Sequence, residues 1–209
     1  GRTVDSELSG NMIDLCPVGA LTSKPFRYKA RTWELARRKS VSPHDSLGSN
    51  LVVQAMANTV MRVLPLENEG LNECWLSDRD RYAYEGLNSE DRLTQPMLKV
   101  DGKWQEADWQ QALAAVAKGL KNAQADHGGT ALGAQAAPHS TLEELYLLGK
   151  LMRGIGSENV DFRLRQSDFS ADQKQAGAPW LGMKIADIGS LDRVLVVGSF
   201  LRKDHPLLA

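Results

Sequence analysis

The chain has 209 residues, 42% hydrophobic and 24% charged, with 25 Lys and Arg against 26 Asp and Glu, the balance of one ordinary soluble domain or two small ones. A net charge of −1 excludes a global field directed at nucleic acid or an anionic membrane. Two cysteines, Cys16 and Cys74, exclude a disulfide scaffold and suit a reducing compartment, and neither a membrane-spanning apolar run nor a signal peptide is legible.

Residues 1–30 read as irregular, broken by Pro17, Gly19 and Pro25, with Pro17 suited to open a short helix. In "IDLCPVGAL", Cys16 precedes a proline that fixes φ and removes a donor, and Gly19 lets the backbone pass close by. A Cys-Pro pair also closes the ligand run of bacterial ferredoxins. The bland alternative is a small buried hydrophobe.

Residues 31–95 mix short elements. The β-branched runs "NLVVQAM" and "VMRVLPLE" flank Ala57-Asn58-Thr59 and predict a hairpin. "NECWLSDRDRYAYEGLNSEDRLTQP" is polar and turn-rich and reads as irregular. The basic run Lys29, Arg31, Arg37, Arg38 and Lys39 is expected to be a solvated face, with an acidic partner surface as the alternative.

Further on, "MLKVDGKWQEAD" predicts strand, turn and strand around Asp101-Gly102. Asp108 and Gln111 have capping-box spacing, and Trp109, Ala112, Leu113, Val116 and Leu120 recur at helical spacing before Gly128-Gly129. "TALGAQAA" reads as a strand. "STLEELYLLGKLMRGIG" reads as a helix capped by Ser140 with Glu143 and ending at Gly154. "DRVLVVGS", residues 192–199, has the continuous apolar character of a parallel strand covered on both faces. The alternation predicts an α/β layer.

The four histidines, His44, His127, His139 and His205, show no zinc spacing. His44-Asp45-Ser46 is not a triad, since triads are assembled in space. No P-loop or G-x-G-x-x-G sequence supports a nucleotide site. Ser42, Asp45, Ser49 and Ser77 are separated by two, three and twenty-seven residues. That spacing matches the C-x2-C-x3-C-x27-C pattern of a [4Fe–4S] site in molybdopterin oxidoreductases and their relatives, yet serine hydroxyls are poor replacements for soft thiolates. Cys74, three positions away, is read as a buried free thiol beside Trp75.

Taken together, "ELSGNMIDLCPVGALTSKPF", "ARTWELARRKSVSPHDSLGSNLVV", "RVLPLENEGLNECWLSDRDRYAYEGLNSEDRLTQPM" and "LVVGSFLRKDHPLL" strongly resemble the large iron–sulfur subunits, the G type, of bacterial NADH-quinone oxidoreductase, respiratory complex I. The resemblance implies an internal fragment of mixed α/β class: the end of a ferredoxin-like region over residues 1–31, a small domain of the 4Fe-4S Mo/W bis-MGD type lacking its cluster ligands over 32–97, and the truncated start of a molybdopterin-oxidoreductase-like α/β domain over 98–209. It implies that Cys16 is the fourth ligand of a [4Fe–4S] cluster in the full-length subunit, with three cysteines upstream, that the isolated chain lacks this cluster, and that no molybdopterin is held. Ser42, Asp45, Ser49 and Ser77 depart from the ligand pattern. The implied activity is electron transfer from NADH through iron–sulfur clusters to quinone, coupled to proton translocation, with no catalytic site in this chain alone. The implied partners are the NADH-binding flavoprotein and neighbouring iron–sulfur subunits of the peripheral arm, on the cytoplasmic side of the inner membrane. The alternatives are a true molybdopterin oxidoreductase of the formate dehydrogenase or nitrate reductase type, and a purely structural docking domain.

Overall fold

In the computed structural model, residues 3–163, 168, 170, 174, 176–177 and 180–209 are described. The chain divides into two units, residues 1–92 with 179–209, and residues 93–178.

The first unit is built on an antiparallel sheet of order β1-β2-β3, with β1 at Ala36–Val41, β2 at Asn50–Met56 and β3 at Thr59–Pro65. The predicted hairpin is β2–β3, and its turn residues Ala57 and Asn58 both have positive φ, 46° and 68°, as a two-residue type I′ turn requires. Val53 pairs with Val63 and Leu51 with Pro65, and the register shifts at Gln54/Ala55. Leu51, Val63, Leu76 and Tyr84 form the buried cluster, flanked by Val53 and Val60. Leu76 is fully buried, which stabilises the unit by about 2–3 kcal/mol.

Two local expectations are corrected here. The stretch after Trp75 is ordered into α2, Asp78–Tyr82, and a 3-10 turn over Ala83–Asn88. Ser77 supplies the N-cap, its hydroxyl accepting from the Asp80 amide at 3.1 Å, which the sequence pattern hid because the helix is too short to show a periodicity. Near the N-terminus, α1 spans Asn11–Leu15 and ends at Cys16. Pro17 therefore stops a helix instead of opening one, as its restriction of the preceding residue favours.

In residues 180–209 the structure has a 3-10 turn over Ile185–Ser190 and the short α5, Leu201–Asp204. Arg202 pairs with Glu7 at 2.8 Å, and Lys203 also pairs with it; Lys203 first, then Arg202, hold the Glu7 carboxyl down to about 2. Residues 192–199 form no strand, and Leu195 and Val197 are more than 80% exposed. An apolar run becomes a parallel strand only beside pairing strands and under covering helices, and no described strand pairs with it.

The second unit opens with the predicted hairpin, β4 Met97–Val100 and β5 Lys103–Glu106, turning through positive φ at Asp101 and Gly102. The helix α3, Trp109–His127, carries the expected Asp108–Gln111 capping box. It ends at Gly128, whose φ of 78° favours glycine. A two-residue parallel pair follows, β6 Ala134–Gln135 against β7 Val160–Asp161, joined through α4, Leu142–Gly154. The α4 cap is Thr141 with Glu144, not Ser140 with Glu143. Adjacent Ser-Thr and Glu-Glu pairs offer two registers of the same box, and one is taken. The fold is thus mixed α/β with small sheets.

Candidate functional site

Cys16 is the C-cap of α1, with φ −79° and ψ 102°, so the chain leaves the helix in an extended conformation and turns back through Gly19. The Gly19 amide donates to the Cys16 carbonyl at 3.4 Å, and Gly19 has φ of 65°, a conformation glycine adopts without strain. The Leu21 N–H, followed by those of Val18, Ala20 and Gly19, lowers the thiol pKa, against an opposing effect of desolvation. Amide donors favour the thiolate, the form that binds iron. On this chemistry the Cys16 loop fits one corner of an iron–sulfur site.

A helix of five residues does not hold itself together, and α1 is held by α2 and the residues just before it. The Asn11 side chain makes a two-way bridge to the Leu76 backbone, donating to its carbonyl at 2.9 Å and accepting from its amide at 3.0 Å. Asp78 accepts from the Gly10 amide and the Ser9 hydroxyl, each at 2.6 Å, and its own amide donates to the Glu7 carbonyl at 2.8 Å. Arg81, 4% exposed, donates to Asn11 Oδ1 at 3.1 Å and to Asp14 Oδ2 at 2.5 Å. Downstream of Cys16, Phe26 lies 4.2 Å under the Arg62 guanidinium, which also donates to Gln54 at 2.6 Å.

The Ser42, Asp45, Ser49 and Ser77 positions take part in two linked hydrogen-bond groups, but none of them is presented to a metal. Ser42 and Ser77 both donate to Asp80, at 2.7 and 3.0 Å. Ser49 donates to Asp45 at 2.5 Å, and Asp45 also accepts from the Gly48 and Ser49 amides at 3.0 and 3.3 Å. The Asp45 amide in turn donates to Ser42 Oγ at 3.3 Å, and Ser42 accepts from the His44 amide at 3.0 Å. Ser42, Ser49, Ser77 and Asp80 are buried. Burial, and secondarily the Asp45 charge, raise the Asp80 pKa, while the two hydroxyl bonds and His44 oppose the rise. Hydroxyls committed to carboxylates, in place of four soft thiolates, do not fit a [4Fe–4S] cluster. Among the described residues no group of three or more His, Cys, Asp or Glu is arranged to hold a metal ion.

Cys74 corrects another expectation: it is exposed, not buried, and free. Its neighbour Trp75 donates outward to Glu73 at 3.1 Å. The basic residues Arg37, Arg38 and Lys39 lie along β1, exposed throughout, as are Lys29 and Arg31. Sequence reasoning missed Asn11, Asp80 and Arg81. Only Asp80 left a local signal, three residues after a serine in N-cap spacing.

A family model described as molybdopterin oxidoreductase matches residues 92–209, more than half of the chain. The chain belongs to the molybdopterin oxidoreductase family. Within this family member, residues 35–85 match the 4Fe-4S domain described as NADH-ubiquinone oxidoreductase NDSU1/NuoG-like, and residues 1–22 match the ferredoxin-like domain of NADH-quinone oxidoreductase subunit 3. Cys16 falls in the latter match, and Ser42, Asp45, Ser49 and Ser77 in the former. Similar proteins include the G-type NADH-quinone oxidoreductase subunit of Rickettsia conorii, 41% identical over 99% of this chain and 30% of the relative. The mitochondrial NADH-ubiquinone oxidoreductase 78 kDa subunit of Candida albicans is 39% identical over 99% of this chain and 28% of its own length. The mitochondrial NADH dehydrogenase [ubiquinone] iron-sulfur protein 1 of Solanum tuberosum is 37% identical over 95% of this chain and 26% of its own length. The resemblance to these subunits thus runs along nearly the whole chain, which spans 26% to 30% of the length of these relatives. No helix among the described residues is long and apolar enough to cross a membrane.

Proposed function

We propose that this chain is part of the large iron–sulfur subunit of a NADH-quinone oxidoreductase, respiratory complex I, with Cys16 as the fourth ligand of a [4Fe–4S] cluster in the full-length protein. The observation that carries this is the match of residues 1–22, with Cys16 among them, to the ferredoxin-like domain of NADH-quinone oxidoreductase subunit 3, together with the Cys16–Gly19 turn that follows α1. The backbone amides of Leu21, Val18, Ala20 and Gly19 lower the Cys16 pKa and so favour the thiolate, the Cys16–Gly19 turn bends the backbone beside it, and α1 leads into it. A cluster bound there supplies one-electron redox chemistry, while the chain contributes a ligand, its orientation and the surrounding dielectric. Electrons from NADH, taken up by a flavoprotein partner, are passed towards quinone, coupled to proton translocation. The partners are peripheral-arm subunits on the cytoplasmic side of the inner membrane.

Residues 1–31 are the end of the ferredoxin-like region. Residues 32–97 and 98–209 serve as scaffold and bind neither a cluster of their own nor molybdopterin. Support for the scaffold reading is the closed network of Ser42, Ser77 and Asp80 beside Asp45 and Ser49. Cys16→Ser in the full-length protein is expected to remove or alter one [4Fe–4S] signal in the EPR spectrum, and an unchanged spectrum excludes Cys16 as a ligand. Elemental analysis of the same protein is expected to find no stoichiometric molybdenum or tungsten; finding either would favour a true molybdopterin enzyme.

A further inference from the structure

We propose that Arg81 is the positioning residue for the Cys16 thiolate: one buried guanidinium nitrogen grips both the first and the fourth residue of the helix that carries the cysteine, and so sets where the sulfur stands. This rests on the reading of Cys16 as a cluster ligand.

The geometry is specific. Nη2 of Arg81 reaches Asn11 Oδ1 at 3.1 Å and Asp14 Oδ2 at 2.5 Å, three residues apart on one face of α1. Asp14 lies two residues before Cys16. The N-cap of α1, Gly10, contributes no side-chain bond, so the orientation of so short a helix is set by what grips it from outside. Asn11 and Asp78 fasten its start, and Arg81 alone among these reaches its cysteine end. The approach is close: a Cβ on Gly10 would lie 2.6 Å from Arg81 Cδ and 2.7 Å from its Nε.

A second observation separates positioning from simple stabilisation. Arg81 Nε is buried and has no hydrogen-bond partner among the described residues. An unsatisfied buried donor on a charged group costs stability, and an apolar side chain of similar volume would avoid that cost. A guanidinium retained at that cost is suited to fixing direction, and the direction it fixes is that of the backbone leading into Cys16. Asp14 is 34% exposed, so water can solvate it when Arg81 is replaced, and a replacement by methionine is expected to fold.

The test uses the full-length protein, comparing Arg81→Met, Arg81→Lys and Cys16→Ser by iron content, EPR spectrum and redox titration of each cluster signal. Cys16→Ser first identifies the signal that depends on this cysteine. The expected result is that Arg81→Met keeps the wild-type iron content while shifting the g-values and midpoint potential of that signal alone, and that Arg81→Lys, which can still pair with Asp14, restores them at least in part. If Cys16→Ser changes no signal, the ligand reading fails. If Cys16→Ser removes a signal that Arg81→Met leaves unchanged in shape and potential, the ligand reading stands and the positioning role is overturned. Should Arg81→Met not fold, Asp14→Ala removes the acceptor at the exposed end of the same grip, and an unshifted signal in that variant overturns the proposal equally.

Discussion

Asp80 is a buried carboxylate that accepts from the Ser42 and Ser77 hydroxyls, at 2.7 and 3.0 Å, and these bonds compensate its desolvation only partly. Burial leaves its pKa raised, with the Asp45 charge adding to the rise. The folded state therefore holds this proton more tightly than the unfolded chain does. The contribution to stability is full below the ordinary aspartate value and is lost as pH rises through the elevated folded value. Asp80→Asn keeps the shape and removes the charge. The expected outcome is that urea midpoints of wild type and variant diverge in favour of the variant as pH is raised from about 4 to 8. A difference between the two that stays constant with pH would exclude Asp80 as the titrating group. At the same scale, Cys16 was legible because a Cys-Pro-x-Gly turn is a contiguous signal. Asn11 and Arg81 were not, since they act on partners 65 to 70 residues away, and of the two serines on Asp80 only Ser77 is near it in sequence, Ser42 lying 38 residues off.

Among the elements, those read correctly from sequence are those whose information is local. The Asp108–Gln111 box, the Gly128 stop and the two hairpins each rest on residues within a few positions of one another. By contrast β1, "ARRKSV", has all six residues exposed and no alternation to betray it; it is a strand because β2 pairs with it from Ala36–Ala55 to Val41–Asn50. The opposite failure occurs at 192–199, where apolar residues satisfy the pattern but no described strand offers a partner. A central strand is therefore a property of its sheet more than of its sequence. The β2–β3 turn supplies a test of local chemistry. Ala57 stands at φ 46°, a conformation that costs an alanine about 1 kcal/mol, in the turn position where asparagine is preferred. Ala57→Asn is expected to raise stability by roughly 0.5–1 kcal/mol, read as a higher urea midpoint at unchanged slope. An equal or lower midpoint would mean that the alanine is not strained.

At the scale of the first unit, the segment bearing Cys16 comes closest to α2 where Gly10 passes over Asp78 and Arg81, beside the Asn11–Leu76 bridge and the Phe26–Arg62 contact with β3. Gly10 has φ −62°, so the position does not need glycine for its backbone angles; it needs the absence of a side chain. A Cβ there would meet Asp78 Oδ1 at 2.7 Å as well as the Arg81 side chain. Neither neighbour is free to yield: Asp78 is held by Ser9 and the Gly10 amide, and Arg81 by Asn11 and Asp14. Gly10→Ala is therefore expected to loosen α1 by about 1–3 kcal/mol, the usual cost of overpacking. The core of Leu51, Val63, Leu76 and Tyr84 does not include Gly10, so the sheet should persist. Hydrogen exchange of the α1 amides should then run roughly ten- to a hundredfold faster, with those of β2 and β3 unchanged. Equal acceleration in all three would mean that the cysteine segment and the sheet open as one cooperative body, and no acceleration anywhere would mean that the contact does not hold α1 in place. In the expected case the segment that presents Cys16 is a separately adjustable part, and its position can be tuned without unfolding the scaffold that carries it.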